Sequence, residues 1–172
     1  MGMDVYGKNP ANEVGGYFRR NVWGWHPLWE YVENCHPDLA SKVEHAHSND
    51  GDGLDADDSV QLAVCLRADL ERGDAQRYID ERNKYLADLE RPACEYCGGT
   101  GIRSDAVGVE NKMSERELET EMAMLVGRTH GWCNGCRGEG KRDAWETNYY
   151  LDLDDIKEFA DFLDNCGGFE IC

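Results

Sequence analysis

The spacing of apolar positions predicts a mainly helical chain. Leu62, Cys65, Leu66 and Leu70 recur at intervals of three and four, the period of one helix face. Ahead of them Asp55, Asp57 and Asp58 stand where carboxylates cap an N-terminus and oppose its dipole. Gly73 ends this helix, and Asp74 can cap the next, in which Tyr78, Ile79, Tyr85, Leu86 and Leu89 repeat until Pro92. A link this short predicts an antiparallel pair. Ile156, Phe159, Ala160 and Leu163 define a last helix after Leu151, closed by Cys166-Gly167-Gly168. Pro27 can open a short helix running to Cys35, with Leu28, Tyr31 and Val32 on its apolar side, and a second short helix can follow Pro37. Ser114 and Glu117 form a capping box ahead of Leu118, Met122, Leu125 and Val126, with Gly127 as the stop. Strand signals are confined to residues 101–109 and the edges of two cysteine motifs. The expected fold class is therefore mainly α with a small β ribbon, the helices packed around that ribbon.

Between Tyr17 and Tyr31 the chain carries Tyr17, Phe18, Trp23, Trp25, Trp29 and Tyr31, the material of a core or a pocket. At 172 residues the chain can bury a real core, and no run of Gly, Ser or Pro divides it, so one compact domain over 1–172 is expected. Charge changes this picture outward. The formal net charge of −17 disfavours direct binding to nucleic acids or anionic membranes. The acids concentrate in Glu44 to Asp58 and Asp143 to Cys172, which predicts two acidic faces. No secretory-type leader or long apolar run is present, so a cytoplasmic protein is expected.

The chemistry lies in one repeat. Cys94-Glu-Tyr-Cys97-Gly-Gly-Thr-Gly101 and Cys133-Asn-Gly-Cys136-Arg-Gly-Glu-Gly140 both read C-x-x-C-x-G-x-G. Each knuckle delivers two thiolates from one turn, and two knuckles complete a tetrahedral zinc site. The trailing glycines fit turns of positive φ whose backbone N–H groups approach sulfur. Disulfides or redox-active pairs are the alternative, although these do not require the glycines. Cys94, Cys97, Cys133 and Cys136 are thus the expected ligands of one structural zinc. They delimit a ribbon over 93–140 with a helical insert at 102–132.

These two motifs resemble the repeat of the cysteine-rich domain of the DnaJ co-chaperones, in which four repeats bind two zinc ions. Only one pair of repeats is present here, and the resemblance covers no other part of the chain. It implies a DnaJ-like zinc ribbon and admits a co-chaperone role, though the two-repeat form also occurs outside co-chaperones. His36-Pro37-Asp38 matches the tripeptide of a J-domain, but Trp29 to Cys35 holds Glu30 and Glu33 and no cation, so Pro37-Asp38 reads as a turn with a helix start. The wider layout also resembles a group of bacteriophage and bacterial proteins. Tyr17-Phe18-Arg19-Arg20-Asn21-Val22-Trp23, Pro27-Leu28-Trp29 and Asn49-Asp50-Gly51-Asp52-Gly53-Leu54 carry that likeness. It implies a small accessory protein working inside a bacterial host cell.

One other cluster bears potential ligands. Trp23, Trp25 and His26 can stack on a base or sugar while His45, His47, Asn49 and Asp50 supply hydrogen bonds, which would make a small-ligand pocket. A solvated turn that caps the following helix explains the same residues. Calcium loops need Gly at the sixth position, and counting from Asp55 that position is Val60. Cys65 sits on a helix stripe as a core residue. No phosphate loop, nucleophile elbow or H-E-x-x-H helix is present, so no catalytic residue is named. The expected role is an acidic zinc-binding interaction protein that binds a host or viral protein, with nucleic-acid mimicry as one mechanism. A nucleotide or small-ligand binder or enzyme, and a DnaJ-like co-chaperone, are the alternatives.

Overall fold

The computed structural model describes residues 2–172 and is mostly helical with one small sheet. The elements follow in the order β1 (Gly2–Gly7), β2 (Tyr17–Asn21), α1 (Val22–Cys35), α2 (Pro37–Ala40), α3 (Ala56–Arg72), α4 (Asp74–Asp88), α5 (Ala106–Glu110), α6 (Thr120–Val126), α7 (Leu153–Leu163) and β3 (Phe169–Ile171). They form two compact units. One comprises the residues up to Ala87 together with Asn148–Cys172, and the other Asp88–Thr147.

The first unit holds the hydrophobic core. Its sheet has the order β2-β1-β3 with antiparallel neighbours, and Val5 pairs with both Phe18 and Ile171. Alternation along these strands buries Met3, Val5, Phe18, Phe169 and Ile171. α3 lies along α7, and α1 packs on the sheet. Trp25 stacks on Trp29 at 5.8 Å and meets Phe159 edge-on at 5.7 Å, and Phe18 lies 5.1 Å from Phe159. Each such ring removes roughly 150–250 Å² from water, so this cluster dominates the unit's stability. The aromatic stretch is therefore mostly core.

Helix α1 starts five residues before Pro27, at the Asn21 cap, whose side chain accepts from the Gly24 N–H at 3.0 Å. An internal proline has no N–H for the carbonyl four residues back. Here that carbonyl, of Trp23, accepts instead from the Tyr150 N–H at 3.1 Å. At α3 the expected signals operate as read. Asp55 accepts from the Asp58 N–H, and Gly73 closes the helix at φ 76°. α7 is framed by a full capping box between Asp152 and Asp155. Arg20 bridges β2 to that helix through Asp155, at 2.6 Å, and through Glu158. Burial holds the Asp155 carboxyl above its usual range, an effect that Arg20 offsets only in part.

Several expectations require correction. α3 and α4 do not form an antiparallel pair: α3 is taken up by α7, and α4 is buried only through Ala75 and Ile79 in its first half, where Tyr78 meets Tyr31 edge-on at 4.9 Å. Residues 101–109 contain turns and the start of α5 rather than a strand. The helices of the first unit pack on one another and on the terminal sheet, and the β structure of the cysteine ribbon is confined to two isolated bridges, Ala93 with Lys141 and Glu117 with His130. The Ser114 box does not start a helix, because Glu117 is bridged to His130 and the Leu118 N–H donates to Thr129 O at 2.9 Å. The helix begins only at Thr120.

Candidate metal centre

The two C-x-x-C-x-G-x-G motifs form two nearly equivalent turns. In the first, the Cys97 and Gly99 N–H groups donate to Cys94 O, and in the second the Cys136 and Gly138 N–H groups donate to Cys133 O. The turns are tied together by the Cys94 N–H donating to Gly140 O at 2.8 Å. The four Sγ atoms are buried and lie within 4.8 Å of one another, so they can hold a metal ion. The Cys94–Cys133 and Cys97–Cys136 sulfurs are 3.8 and 3.7 Å apart. A tetrahedral ion with zinc–thiolate bonds spaces its sulfurs by about 3.8 Å, whereas a disulfide requires about 2.05 Å.

The last glycine of each motif has a double task. The Gly101 N–H donates to Cys97 Sγ and the Gly140 N–H to Cys136 Sγ, both at 3.2 Å. These glycines sit at φ 74° and 83°, and each packs against the other motif. A Cβ on Gly101 would stand 2.2 Å from Gly138 O, and one on Gly140 would stand 2.2 Å from Gly99 O. The position after the second cysteine is also left-handed but roomier. Gly98 occupies it in one motif, while Arg137 occupies it at φ 51° in the other.

Electrostatics favour a cation at the centre. Burial opposes ionisation of Cys97, yet the Gly101 N–H and the Cys136 thiol outweigh it and bring Cys97 down to about 7. Burial pushes Cys136 up to about 12, with its three neighbouring thiols adding to the rise. Four thiolates cannot coexist in this volume without a positive ion to neutralise them. Arg128 contributes a further clamp, donating to Gly101 O and Gly138 O at 3.0 and 2.5 Å. Sequence reasoning missed this residue, since nothing in a lone arginine between two motifs marks it as their tie.

The other candidate residues are only partly brought together. Trp25 is fully buried in the core, its indole N–H donating to Ala46 O at 2.7 Å. His26 stacks on His47 with the two Nδ1 atoms 2.6 Å apart, and Tyr149 lies edge-on to both His26 and Trp23. Burial, then the charge of His47, lowers the His26 imidazole below its usual value. The others in this set lie apart from that cluster. The His45 N–H donates to Asp52, Asn49 donates to Gly2 O, and Asp50 accepts from Ser48. His36 also has a structural partner that its tripeptide did not reveal. Asp69, buried on α3, is in hydrogen-bond contact with His36 Nε2 and accepts from the Tyr31 hydroxyl, both at 2.7 Å, and from Arg72 at 2.6 Å. His36, Asp69 and Arg72 border a cleft of about 410 Å³ that Cys35 also lines. Cys166 is buried and donates to Leu163 O, Cys65 is half-buried, and Cys172 is exposed. No helix of the described residues is long and apolar enough to cross a membrane.

No protein-family model matches the chain, and neither a curated protein nor a solved structure matches it.

Proposed function

We propose that Cys94, Cys97, Cys133 and Cys136 hold one zinc ion in a structural role, and that the unit stapled by it belongs to an acidic protein-interaction factor. The observation that carries this reading is the completeness of the site. All four sulfurs that could ligate an ion belong to buried cysteines, and the backbone N–H groups that reach two of them come from the glycines of the same turns. A catalytic zinc keeps one position for water or substrate, and this donor set leaves none. The metal then serves to hold a surface in shape, and the charge of −17 directs that surface toward proteins rather than nucleic acids. The sequence resemblance makes a bacterial host protein the natural partner.

The test has two arms. Elemental analysis of purified protein should give one zinc per chain. Affinity capture from bacterial lysate, with cross-linking, should recover the same partner from zinc-loaded protein in repeated trials and lose it after chelation. A chain that purifies without metal and keeps its full stability would overturn the structural zinc. Recovery of the same partner from chelated and loaded protein would overturn the role of the stapled unit.

A further inference from the structure

The insert between the two knuckles carries a surface that the ribbon itself does not use. Residues 116–118 run beside 129–131 as a short two-legged stalk, with the Leu118 N–H donating to Thr129 O and the Gly131 N–H to Arg116 O, both at 2.9 Å. Arg116 lies over the Trp132 ring at 4.8 Å, and the Trp132 N–H donates to Met113 O, which fixes the foot of the stalk. Helix α6 is the tip. Its sequence is Thr-Glu-Met-Ala-Met-Leu-Val, and none of its residues is buried. Met124 is 73% exposed and Leu125 68%, on a helix that Gly127 closes at φ 70°. Scattered exposed apolar residues are ordinary, but here they occupy the end of an ordered projection, and methionine adapts to varied partner shapes.

Acids outnumber cations along the stalk and tip, where Arg116 is engaged over the Trp132 ring and Arg128 by the Gly101 and Gly138 carbonyls. Glu115, Glu117, Glu119 and Glu121 are all exposed, and none makes an ion pair among the described residues. Four acids in and just after α7 are used differently. Asp155 and Glu158 are held by Arg20, and Asp161 and Asp164 by Arg67. The stalk and tip thus join an adaptable apolar surface to carboxylates that make no ion pair among the described residues. An apolar stripe bordered by Lys or Arg is the complement, since its apolar side would cover Met124 and Leu125 while its cations meet the free carboxylates.

We propose that the α6 tip is a docking surface for a basic amphipathic helix of a partner protein. This rests on the interaction role stated above and gives it a place and a partner chemistry. Opposite charge would speed the encounter, and burial of the two large apolar side chains would slow release.

The probe is a synthetic Leu/Lys peptide of about five helical turns with its leucines at helical spacing. A scrambled peptide of the same composition is the control. Binding to full-length zinc-loaded protein is read by fluorescence anisotropy. The patterned peptide should bind better than the scrambled one. The double variant Met124→Ser, Leu125→Ser should weaken it by about tenfold or more, as expected when central apolar contacts are lost. Glu119→Gln with Glu121→Gln should weaken it by roughly three- to tenfold at low salt and much less at raised salt. Zinc content should stay at one per chain in every variant. Unchanged binding by the Met124/Leu125 variant, or equal binding of both peptides, overturns the docking surface. A concentration-dependent dimer abolished by that variant would also overturn it, assigning the tip to a second copy. If the lysate partner is still recovered in these cases, the interaction role survives without this surface. If it is not, both fall together.

Discussion

The two units of this chain bury different material. In the first, rings and aliphatic side chains from both ends of the sequence close on one another, and Trp25, Trp29, Phe159, Phe162 and Phe169 are each almost wholly removed from water. In the second, the buried cluster consists of the four cysteines alone, and α6 buries nothing. A segment of this size with so little apolar burial cannot offset its chain entropy by the hydrophobic effect. An ion held by the four cysteines would supply what is missing, its binding free energy becoming folding free energy for that unit. Four buried cysteines brought to one point give the second unit the means to be ordered by an ion without extending the core.

The largest effect that would break this contrast is loss of a ligand. Cys97→Ser or Cys136→Ser should abolish stoichiometric zinc and disorder the second unit, while the first keeps its helical signal and cooperative melt; circular dichroism with metal analysis checks both. Phe159→Ala should do the reverse. It should cost about 3–5 kcal/mol of stability in the first unit, read by denaturant unfolding, while zinc content stays at one per chain. Gly140→Ala places a Cβ at φ 83° and 2.2 Å from the Gly99 carbonyl. It should cost the second unit about 2 kcal/mol or more, seen as weaker retention of zinc against a chelator, with the first unit's melt unchanged.

The smallest effect concerns His26, in the first unit. Its folded-state pKa is depressed by burial and by His47, so the unfolded chain takes up the proton first as pH falls. Its contribution to stability is therefore full above the usual histidine value of about 6.5 and is lost as pH falls from there through the depressed folded value. Melting of the first unit, followed in excess zinc, should weaken over that window. His26→Gln should flatten the dependence, and an equal slope in the variant would count against the assignment.

How much of this was legible in the sequence follows the same division. The four-cysteine cluster was legible because everything it needs lies within eight residues of each knuckle, and the glycine positions report both φ and close approach. The N-terminus of α3, its Gly73 stop and the apolar stripe of α7 were legible for the same local reason. The sheet was not. Its strands are short and drawn from residues 2–7, 17–21 and 169–171, so no window of sequence contains a paired neighbour. The early start of α1 was hidden by Pro27, whose cost is relieved by the distant Tyr150 N–H. At Ser114 the capping pattern is present, but pairing of Glu117 with His130 prevails over it.

Hydrogen exchange followed by mass spectrometry, before and after treatment with a chelator, tests this division most directly. Protection across the knuckles and the stalk, residues 93–101 and 113–141, should collapse on chelation and return when zinc is restored. Protection in α1, α3 and α7 should remain at its starting level throughout. Retained protection across the knuckles without metal, or simultaneous loss in both units, would contradict the claim that one unit is ordered by its core and the other by its ion.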